Sequence, residues 1–308
     1  MFPPLVCQGR RLGLVQVIRC IISDTIMIID DYYYDREYIM MPSAKLGPQA
    51  RRFLVTMAGG GRRLLRTEEA YEFWPSTDVA RQALSRLVRS GWLERIERGL
   101  YLIVPLEAGP EGHWTEDPMV IAAQLVPSGA VGYWSALHYW GMTEQIPRTV
   151  FVQSRSRKHR SQLTLLGIRY QFIHIVERKF FGTVKQWTRG IEFTITDREK
   201  TLVDALDRPD LCGGIPALAT ALTAGAEMDW DVLDGYLRQF GSGAVFKRLG
   251  FLAEALDVPI PEAERRIAAW RKQLSEGTAL LDPRGPRKGP VDSRWRVRVN
   301  LTGLVRKR

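Results

Sequence analysis

The sequence predicts an α+β protein, with an N-terminal winged helix-turn-helix followed by a mixed α/β domain. Its 308 residues suit about two domains, because domains contain roughly 150 residues on average. Residues 42–105 show three short helical patterns and then two alternating strands, which is the layout of a winged helix-turn-helix. In the rest of the chain the extended segments come first and the helical segments later, a grouping typical of α+β domains.

Positive charge is concentrated in two parts of this chain, whose net charge is +10. Residues 42–105 carry 11 basic and 6 acidic side chains, and residues 284–308 carry 9 basic and 1 acidic side chain. A basic segment of domain size is typical of proteins that bind a polyanion, usually nucleic acid.

Composition excludes several classes of protein. A hydrophobic fraction of 45% excludes a disordered or collagen-like chain. The longest apolar run, residues 12–29, contains Arg19 and Asp24, so it fits neither a membrane span nor a signal peptide. Three cysteines without CxxC spacing argue against a disulfide framework or a zinc site. We therefore expect a soluble, cytoplasmic protein with no membrane partner.

The predicted organisation has four parts. Residues 1–41 form an N-terminal extension, residues 42–105 the winged helix-turn-helix, residues 113–301 the α+β domain, and residues 302–308 a basic tail. A Gly- and Pro-containing linker, residues 106–112, separates the two domains. Two interpretations of the extension stay open: a start codon that truly lies at Met40 or Met41, or a genuine N-terminal arm.

Capping and turn residues predict the helices and strands of residues 42–105. A helix is predicted over 48–57, where Pro48 opens the first turn, and Thr67 is predicted to cap a second helix over 68–73. Pro75 breaks the chain before a third helix over 78–90. Strands over 92–96 and 100–104 are joined by a Gly-containing turn and form a β-hairpin.

The third helix divides into an apolar arc and a polar arc at about 100° per residue. The arc predicted to be buried contains Ala80, Ala83, Leu84, Leu87 and Val88. The side chains predicted to contact DNA bases lie on the opposite arc or on its flank and are Arg81, Gln82, Ser85, Arg86 and Arg89. Arg98, at the hairpin turn, is predicted to contact a phosphate or the minor groove. The alternative is an ordinary solvated face, since every amphipathic helix has one.

The second domain is predicted from periodicity and caps. Its helices are expected over 118–125, 132–139, 197–206, 216–224, 230–240, 245–256 and 261–274. Its extended segments are expected over 149–153, 168–175, 180–183, 191–195 and 295–301. Residues 196–199 are interpreted as a capping box, with Thr196 and Glu199 as its partners.

The sequence contains no recognisable catalytic or metal-binding motif. The four histidines are scattered and form no HExxH or Cys/His set, and no phosphate-binding glycine motif occurs. Asp197, Glu199 and Lys200 do not have the spacing of a nuclease metal centre, so helix capping explains them better. We expect no catalytic residue, no metal and no cofactor.

A basic loop is predicted between two strands of the second domain. Its certain cations are Arg155, Arg157, Lys158 and Arg160. They are candidates for a secondary phosphate contact or a partner-protein contact, and a solvated loop is the alternative.

Several segments resemble the AbiEi-type antitoxins of bacterial type IV toxin-antitoxin operons, over about residues 42–301. The resemblance rests on residues 95–101 (RIERGLY), 132–141 (GYWSALHYWG), 195–209 (ITDREKTLVDALDRP), 212–215 (CGGI) and 295–300 (WRVRVN). The family pattern does not need the segment before Met41.

The resemblance implies a winged-helix repressor fused to an antitoxin domain in a phage-defence, or abortive infection, operon. Such a protein would bind inverted repeats in its own promoter and counteract a nucleotidyltransferase-like toxin, with or without direct contact. Inverted repeats imply two copies, as a homodimer or by cooperative binding. Two other functions stay open on the residues alone: a nuclease targeted by the winged helix, and a ligand-sensing repressor.

Overall fold

A computed structural model describes residues 46–59, 61–105, 116–158, 160–188, 190–223 and 228–301. All of them belong to one compact unit of the chain. The predicted extension over 1–41, the linker over 106–112 and the tail over 302–308 lie outside the described residues.

The described residues form the mixed α+β structure that the sequence predicts. The helices are α1 Pro48–Gly59, α2 Thr77–Arg89, α3 Pro118–Leu125, α4 Tyr133–Tyr139, α5 Arg198–Asp207, α6 Gly214–Thr223, α7 Trp230–Phe240, α8 Gly243–Ala255 and α9 Ala263–Arg271. The strands are β1 Leu64–Arg66, β2 Leu93–Glu97, β3 Leu100–Ile103, β4 Ala130–Val131, β5 Thr149–Ser154, β6 Gln162–Leu165, β7 Ile168–His174, β8 Thr183–Thr188, β9 Ile191–Thr196, β10 Ala279–Leu280, β11 Val291–Asp292 and β12 Val297–Arg298.

The N-terminal segment contains α1, α2 and an antiparallel sheet in the order β1-β3-β2. The α-helix predicted over 68–73 is wrong: a 3₁₀ helix, Thr67–Ala70, takes its place. The prediction that Thr67 caps this helix is wrong as well. The N-cap residue is Arg66, whose backbone N–H donates to the side chain of Glu69 at 2.6 Å.

Helix α2 is confirmed, and its burial follows the predicted arc. The Ser76 hydroxyl accepts a hydrogen bond from the backbone N–H of Val79 at 3.3 Å, which caps the helix. The buried residues of the helix are Ala80, Ala83, Leu84 and Leu87, and Val88 is partly buried. They pack in one core with Phe53 of α1 and with Trp74, whose rings meet edge to face. This core holds α2 with its polar face outward.

Strands β1 and β3 connect the N-terminal segment to the rest of the molecule. Leu64 and Leu102 are buried in the same hydrophobic cluster as Ile121 and Leu125 of α3. The side chain of Arg63 forms an ion pair with Glu116, just before α3. The N-terminal segment and the second half of the molecule therefore share one continuous packed core at this junction.

A six-stranded mixed sheet, in the order β6-β7-β5-β4-β9-β8, is the centre of the second half. The pairs β5·β7 and β4·β9 are parallel and the others antiparallel. The predicted segments over 149–153, 168–175 and 191–195 are confirmed as β5, β7 and β9. The strand predicted over 180–183 is displaced, because residues 180–182 are irregular and β8 begins at Thr183. Strands β4 and β6 were not predicted.

Helices α4 to α9 pack on one side of this sheet around a second core.

The prediction that Thr196 and Glu199 form a capping box at the start of α5 is wrong. Asp197 caps α5 by accepting the backbone N–H of Lys200 at 2.8 Å, whereas Thr196 is the last residue of β9 and pairs its hydroxyl with Thr201 at 2.7 Å. The strand predicted over 295–301 is reduced to β12, which lies between β10 and β11 in a small sheet.

Candidate nucleic-acid interface

The polar arc of α2 is exposed to solvent along the whole helix. Every side chain that was predicted to contact bases is exposed, namely Arg81, Gln82, Ser85, Arg86 and Arg89. Arg81 is 3.4 Å from the carboxylate of Asp78, and Arg89 donates to the carbonyl of Ser85 at 3.4 Å. Both contacts are long and exposed to solvent, so they hold these guanidinium groups only weakly.

Gln82 and Arg86 occupy the centre of this exposed arc. Within the described residues neither side chain has a hydrogen-bond or ionic partner. A groove of about 790 Å³ lies beside Arg86, between the C-terminal half of α2 and the start of α1. The amide of Gln82 and the guanidinium of Arg86 are therefore available to an external acceptor, such as a base edge or a phosphate.

The β2–β3 hairpin places Arg98 at its tip, as the sequence predicts. Arg98 is exposed, and Gly99 next to it has φ 80°, a conformation that favours glycine. The carbonyl of Gly99 accepts the backbone N–H of Thr67 at 3.0 Å, which fixes the turn against the 3₁₀ helix. Arg95, on the same hairpin, is also exposed and was not singled out from the sequence, although the pairing of alternate residues in a hairpin could have identified it.

The basic loop between β5 and β6 does not present its four cations in the same way. Arg155 forms a 2.9 Å ion pair with Glu177 and lies over the ring of Phe180. Arg157 and Arg160 are exposed, and within the described residues they have no ionic or hydrogen-bond partner. Lys158 alone is partly buried.

Lys158 points from this loop towards the N-terminal segment. Its ammonium donates to the carbonyl of Leu125 at 3.0 Å. Burial lowers the pKa of Lys158, and the positive charge of Arg66 on β1 lowers it further, while Glu97 on β2 opposes the shift. The loop and the hairpin therefore lie close enough to influence each other electrostatically.

The candidate nuclease residues are held by separate partners. Asp197 accepts the hydroxyl of Tyr236 at 2.8 Å in addition to its helix-capping bond, and burial raises its pKa. Glu199 accepts the backbone N–H of Asp229 at 2.8 Å. Lys200 is completely buried and forms an ion pair with Asp204. The prediction that capping explains all three residues is wrong, because only Asp197 caps the helix.

Gln153 and Asp204 complete this buried cluster, and the sequence analysis missed both. Gln153 on β5 donates its side-chain N–H to the carboxylate of Asp204 on α5, 51 residues further along the chain. Burial raises the pKa of Asp204, and the nearby Lys200 opposes that rise. A buried residue pair so distant in sequence leaves no local pattern. The contact between Gln153 and Asp204 joins β5 to α5.

Two other ionisable groups lie near Asp204. Burial raises the pKa of the Tyr133 hydroxyl, and the charge of Asp204 raises it further. Burial likewise raises the pKa of the Cys212 thiol. A thiol with a raised pKa carries little thiolate and is a poor nucleophile.

The described residues contain no group of three or more His, Cys, Asp or Glu side chains that could hold a metal ion. His138 on α4 and His174 at the end of β7 belong to separate elements, and His113 and His159 lie outside the described residues.

None of the helices in the described ranges has the length and apolar character needed to cross a lipid bilayer.

Comparison with known proteins gives two informative similarities. A family model described as "Transcriptional regulator, AbiEi antitoxin" matches residues 58–104, from the end of α1 to just after β3. This match confirms, for that segment, the resemblance found in the sequence. No curated protein has a significant match to the chain.

The second similarity is structural. The crystal structure of the RV2827C protein from Mycobacterium tuberculosis superposes with a TM-score of 0.58, at 14% sequence identity. The match covers 84% of this chain and 94% of that chain, so it includes most of both halves of the molecule. At this identity the similarity establishes a common fold and nothing about activity.

Proposed function

We propose that this chain, whose residues 58–104 match the AbiEi regulator and antitoxin family, is a sequence-specific DNA-binding autorepressor and the antitoxin of a type IV toxin-antitoxin operon. Residues 42–105 are its winged helix-turn-helix. The observation that carries the proposal is the exposed face of α2, where Gln82 and Arg86 lack partners within the described residues.

The order of elements in the N-terminal segment supports the winged-helix assignment. Helix α1, strand β1, a 3₁₀ helix, helix α2 and the β2–β3 hairpin follow one another, and β1 joins the hairpin as a third strand. In this arrangement α2 is the recognition helix and the hairpin is the wing. Burial of Leu84 and Leu87 fixes the rotation of α2, so its polar arc faces away from the core.

In the proposed complex, α2 enters the major groove. Arg81, Gln82, Ser85, Arg86 and Arg89 are the side chains that reach base edges or flanking phosphates. Arg98 at the tip of the wing contacts the backbone or the minor groove, where a cation is attracted by the phosphates. Each chain has one such module, so inverted repeats in the operator are bound by two copies, as a homodimer or cooperatively.

The second half of the chain, residues 113–301, is the proposed antitoxin domain. It counteracts a nucleotidyltransferase-like toxin encoded beside it, in an abortive infection system that defends against phage. The separately anchored Asp197, Glu199 and Asp204 support a non-enzymatic role, because carboxylate catalysis requires side chains that converge on a substrate. The protein acts in the cytoplasm, where its operator DNA is found.

The basic loop is a secondary contact in this proposal. Arg157, Lys158 and Arg160 face a phosphate or a partner protein, and Arg155 supports the loop through Glu177. Phosphate contacts would make binding more sensitive to salt, because each neutralised phosphate releases counterions.

A gel-shift titration tests the DNA-binding part of the proposal. The protein is mixed with DNA from upstream of its own gene, across a series of salt concentrations, with scrambled DNA of equal length as the control. We expect stepwise binding to the upstream DNA at concentrations that leave the scrambled DNA free. Equal binding to both DNAs would contradict sequence-specific repression.

Co-expression tests the antitoxin part. We expect the full chain to restore growth to cells that express the neighbouring toxin gene, and a variant with an impaired α2 face to restore growth equally well. Failure of the full chain to restore growth, while the upstream DNA is still bound, would leave a repressor that is not an antitoxin.

A further inference from the structure

A small pocket lies under the basic loop, at the end of two parallel strands. Its volume is about 220 Å³, and it is lined by Ser154, Ser156, Arg157, Lys158, Ser161, Phe172 and His174. Drug-sized ligands occupy clefts of about 300–1,000 Å³. This pocket therefore suits a single polar group, such as a phosphate, and not a whole nucleotide.

The lining of the pocket is cationic and rich in hydroxyl groups. Arg157 and Lys158 carry positive charge, His174 adds ring nitrogens, and none of the described residues that line the pocket is a carboxylate. Within the described residues, the side chains of Arg157, Ser156 and Ser161 have no hydrogen-bond or ionic partner. The described lining thus offers several unused donors to an anion.

The backbone around the pocket is fixed before any ligand arrives. Ser154, which is 1% exposed, accepts the backbone N–H of Ser156 at 3.2 Å and donates to the carbonyl of Ser156 at 2.7 Å. Lys158 is held on the other side of the pocket by its 3.0 Å bond to the carbonyl of Leu125.

The position of the pocket in the sheet also favours a ligand. Strands β5 and β7 are parallel, and their last residues, Ser154 and His174, are direct neighbours. The carboxyl ends of parallel strands are where α/β sheets commonly bind ligands, because the loops that follow both strands meet there. The neighbouring cation Arg155 is neutralised by Glu177, but neither residue lines the pocket.

We propose that the pocket formed by Ser154, Ser156, Arg157, Lys158, Ser161 and His174 is a phosphate-binding site. Arg157 and Lys158 supply the charge, and the hydroxyls of Ser156 and Ser161 supply neutral hydrogen bonds. The phosphate comes either from a nucleic-acid backbone or from a free phosphorylated ligand. This site rests on the proposed function, in which the basic loop is a secondary phosphate contact, and deepens it by placing that contact in a defined pocket. Phosphate binding to the pocket can be measured without any DNA.

Isothermal titration of the full chain with inorganic phosphate is the test, with three variants. We expect saturable binding to the unmodified protein. Arg157→Ala should raise the dissociation constant about tenfold, the effect of losing one charge-assisted hydrogen bond. Ser156→Ala should raise it by a smaller factor. Arg169→Ala is the matched control, since it removes the same charge from an exposed position on β7 without lining the pocket, and should change the constant less than about twofold.

Operator DNA and a nucleoside triphosphate then distinguish the two sources. If Arg157→Ala weakens binding of upstream DNA in parallel with inorganic phosphate, the pocket holds a backbone phosphate. If it weakens binding of CTP and phosphate but leaves DNA binding unchanged, the pocket holds a free phosphorylated ligand. Both results support the site.

Two results would overturn the site. One is the absence of saturable phosphate binding to the unmodified protein at millimolar phosphate. The other is an equal loss of binding in Arg157→Ala and Arg169→Ala, which would reduce the effect to the general positive charge of the protein surface. Neither result would affect the gel-shift test, so the failure of this inference and the failure of the repressor proposal are distinguishable.

Discussion

The side-chain oxygen of Gln124 accepts a hydrogen bond from the backbone N–H of Leu64 at 2.8 Å, and the same oxygen accepts the N–H of Arg63 at 2.8 Å. Gln124 belongs to α3, whereas Arg63 and Leu64 lead into strand β1. One amide group therefore satisfies two backbone donors of the N-terminal segment from the other half of the molecule. The Gln124 hydrogen bonds and the packing of Leu64 and Leu102 together attach the N-terminal segment to α3.

Replacing Gln124 should loosen that junction. We expect Gln124→Ala to lower the free energy of unfolding by about 1–3 kcal/mol, because it leaves two partly buried N–H groups without an acceptor. Gln145→Ala is the control, since this exposed side chain has no hydrogen-bond partner within the described residues and should change the free energy by less than about 0.5 kcal/mol. Urea denaturation measures both variants. Equal effects of the two would show that the Gln124 contacts do not stabilise the junction.

Lys200 and Asp204 form the most deeply buried ion pair described. Lys200 is 0% exposed, and its ammonium also lies over the rings of Phe181 and Phe240. We expect Lys200→Met to cost about 3–5 kcal/mol, because it leaves the Asp204 carboxylate buried without its counter-charge. Thermal or urea unfolding of the variant measures this loss.

A double variant separates the ion pair from general packing damage. We expect Lys200→Met with Asp204→Leu to recover much of the lost stability, since an apolar pair can replace a buried ion pair at little cost. The exposed pair of Lys185 and Glu192 is the comparison: Lys185→Met should cost about 0–1 kcal/mol. A double variant no more stable than Lys200→Met alone would contradict the assignment of the loss to an uncompensated charge.

Gly250 and Gly235 should respond to alanine with opposite signs, although both lie inside helices. A Cβ at Gly250 in α8 would overlap the buried ring of Trp295, whereas nothing lies within 4 Å of a Cβ at Gly235 in α7. We expect Gly235→Ala to stabilise the protein by about 0.5–1 kcal/mol through its higher helix propensity. Gly250→Ala should instead destabilise it by about 1–3 kcal/mol through overpacking. Melting temperatures that rise in both variants would contradict the close packing of α8 against Trp295.

Asp210 should give the protein a stability that depends on pH. Its carboxylate, 4% exposed, accepts two hydrogen bonds from Arg208, at 2.9 and 2.8 Å, and forms a 2.9 Å ion pair with Arg284. Burial by itself would raise the pKa of Asp210, but the hydrogen bonds and charges of the two arginines outweigh burial and lower it. A carboxylate with a lowered pKa stabilises the fold above the pKa of its unfolded form, about 3.9, and this stabilisation is lost as the pH falls through its folded value.

We therefore expect Asp210→Asn to be less stable than the unmodified protein at pH 7, by about 1.5–3 kcal/mol. The difference should shrink as the pH falls below about 3.9, the pKa of the unfolded form, and disappear as the pH passes through the lower pKa of Asp210 in the folded protein. Urea denaturation across this pH range measures the change. Glu177→Gln, at an exposed pair, should cost at most about 1 kcal/mol at pH 7. A pH-independent difference for Asp210→Asn would contradict the ionic role of the carboxylate.

Local sequence patterns predicted the elements whose structure depends on their own residues. Helix α2 begins next to its Ser76 cap and buries the predicted apolar arc, and the β2–β3 hairpin turns at Gly99 as expected. These features follow from periodicity, caps and glycine turns, which act over a few residues. The same is true of α7, where the predicted bounds agree with the structure.

Local sequence patterns did not predict the features that depend on contacts between residues far apart in the chain. Strand β4 has only two residues and exists because β5 and β9 pair with it from either side. Lys200 was explained from the sequence by helix capping, yet it is buried, and Asp204 and the Phe181 and Phe240 rings make its burial tolerable. The pocket under the basic loop also escaped the sequence analysis, because its lining comes from β5, β7 and the loop together.

The affinity ratio between upstream and scrambled DNA tests the central claim most directly. The ratio is measured at one fixed salt concentration for three proteins: the unmodified protein, the double variant Gln82→Ala/Arg86→Ala, and Arg52→Ala. Arg52→Ala is the control, because it removes an exposed cation from α1. We expect the double variant to lower the ratio by about tenfold or more, since each base contact contributes about 1–3 kcal/mol of discrimination, while Arg52→Ala leaves the ratio unchanged. An unmodified protein without preference for the upstream DNA, or a double variant with an unchanged ratio, would contradict recognition by the exposed face of α2.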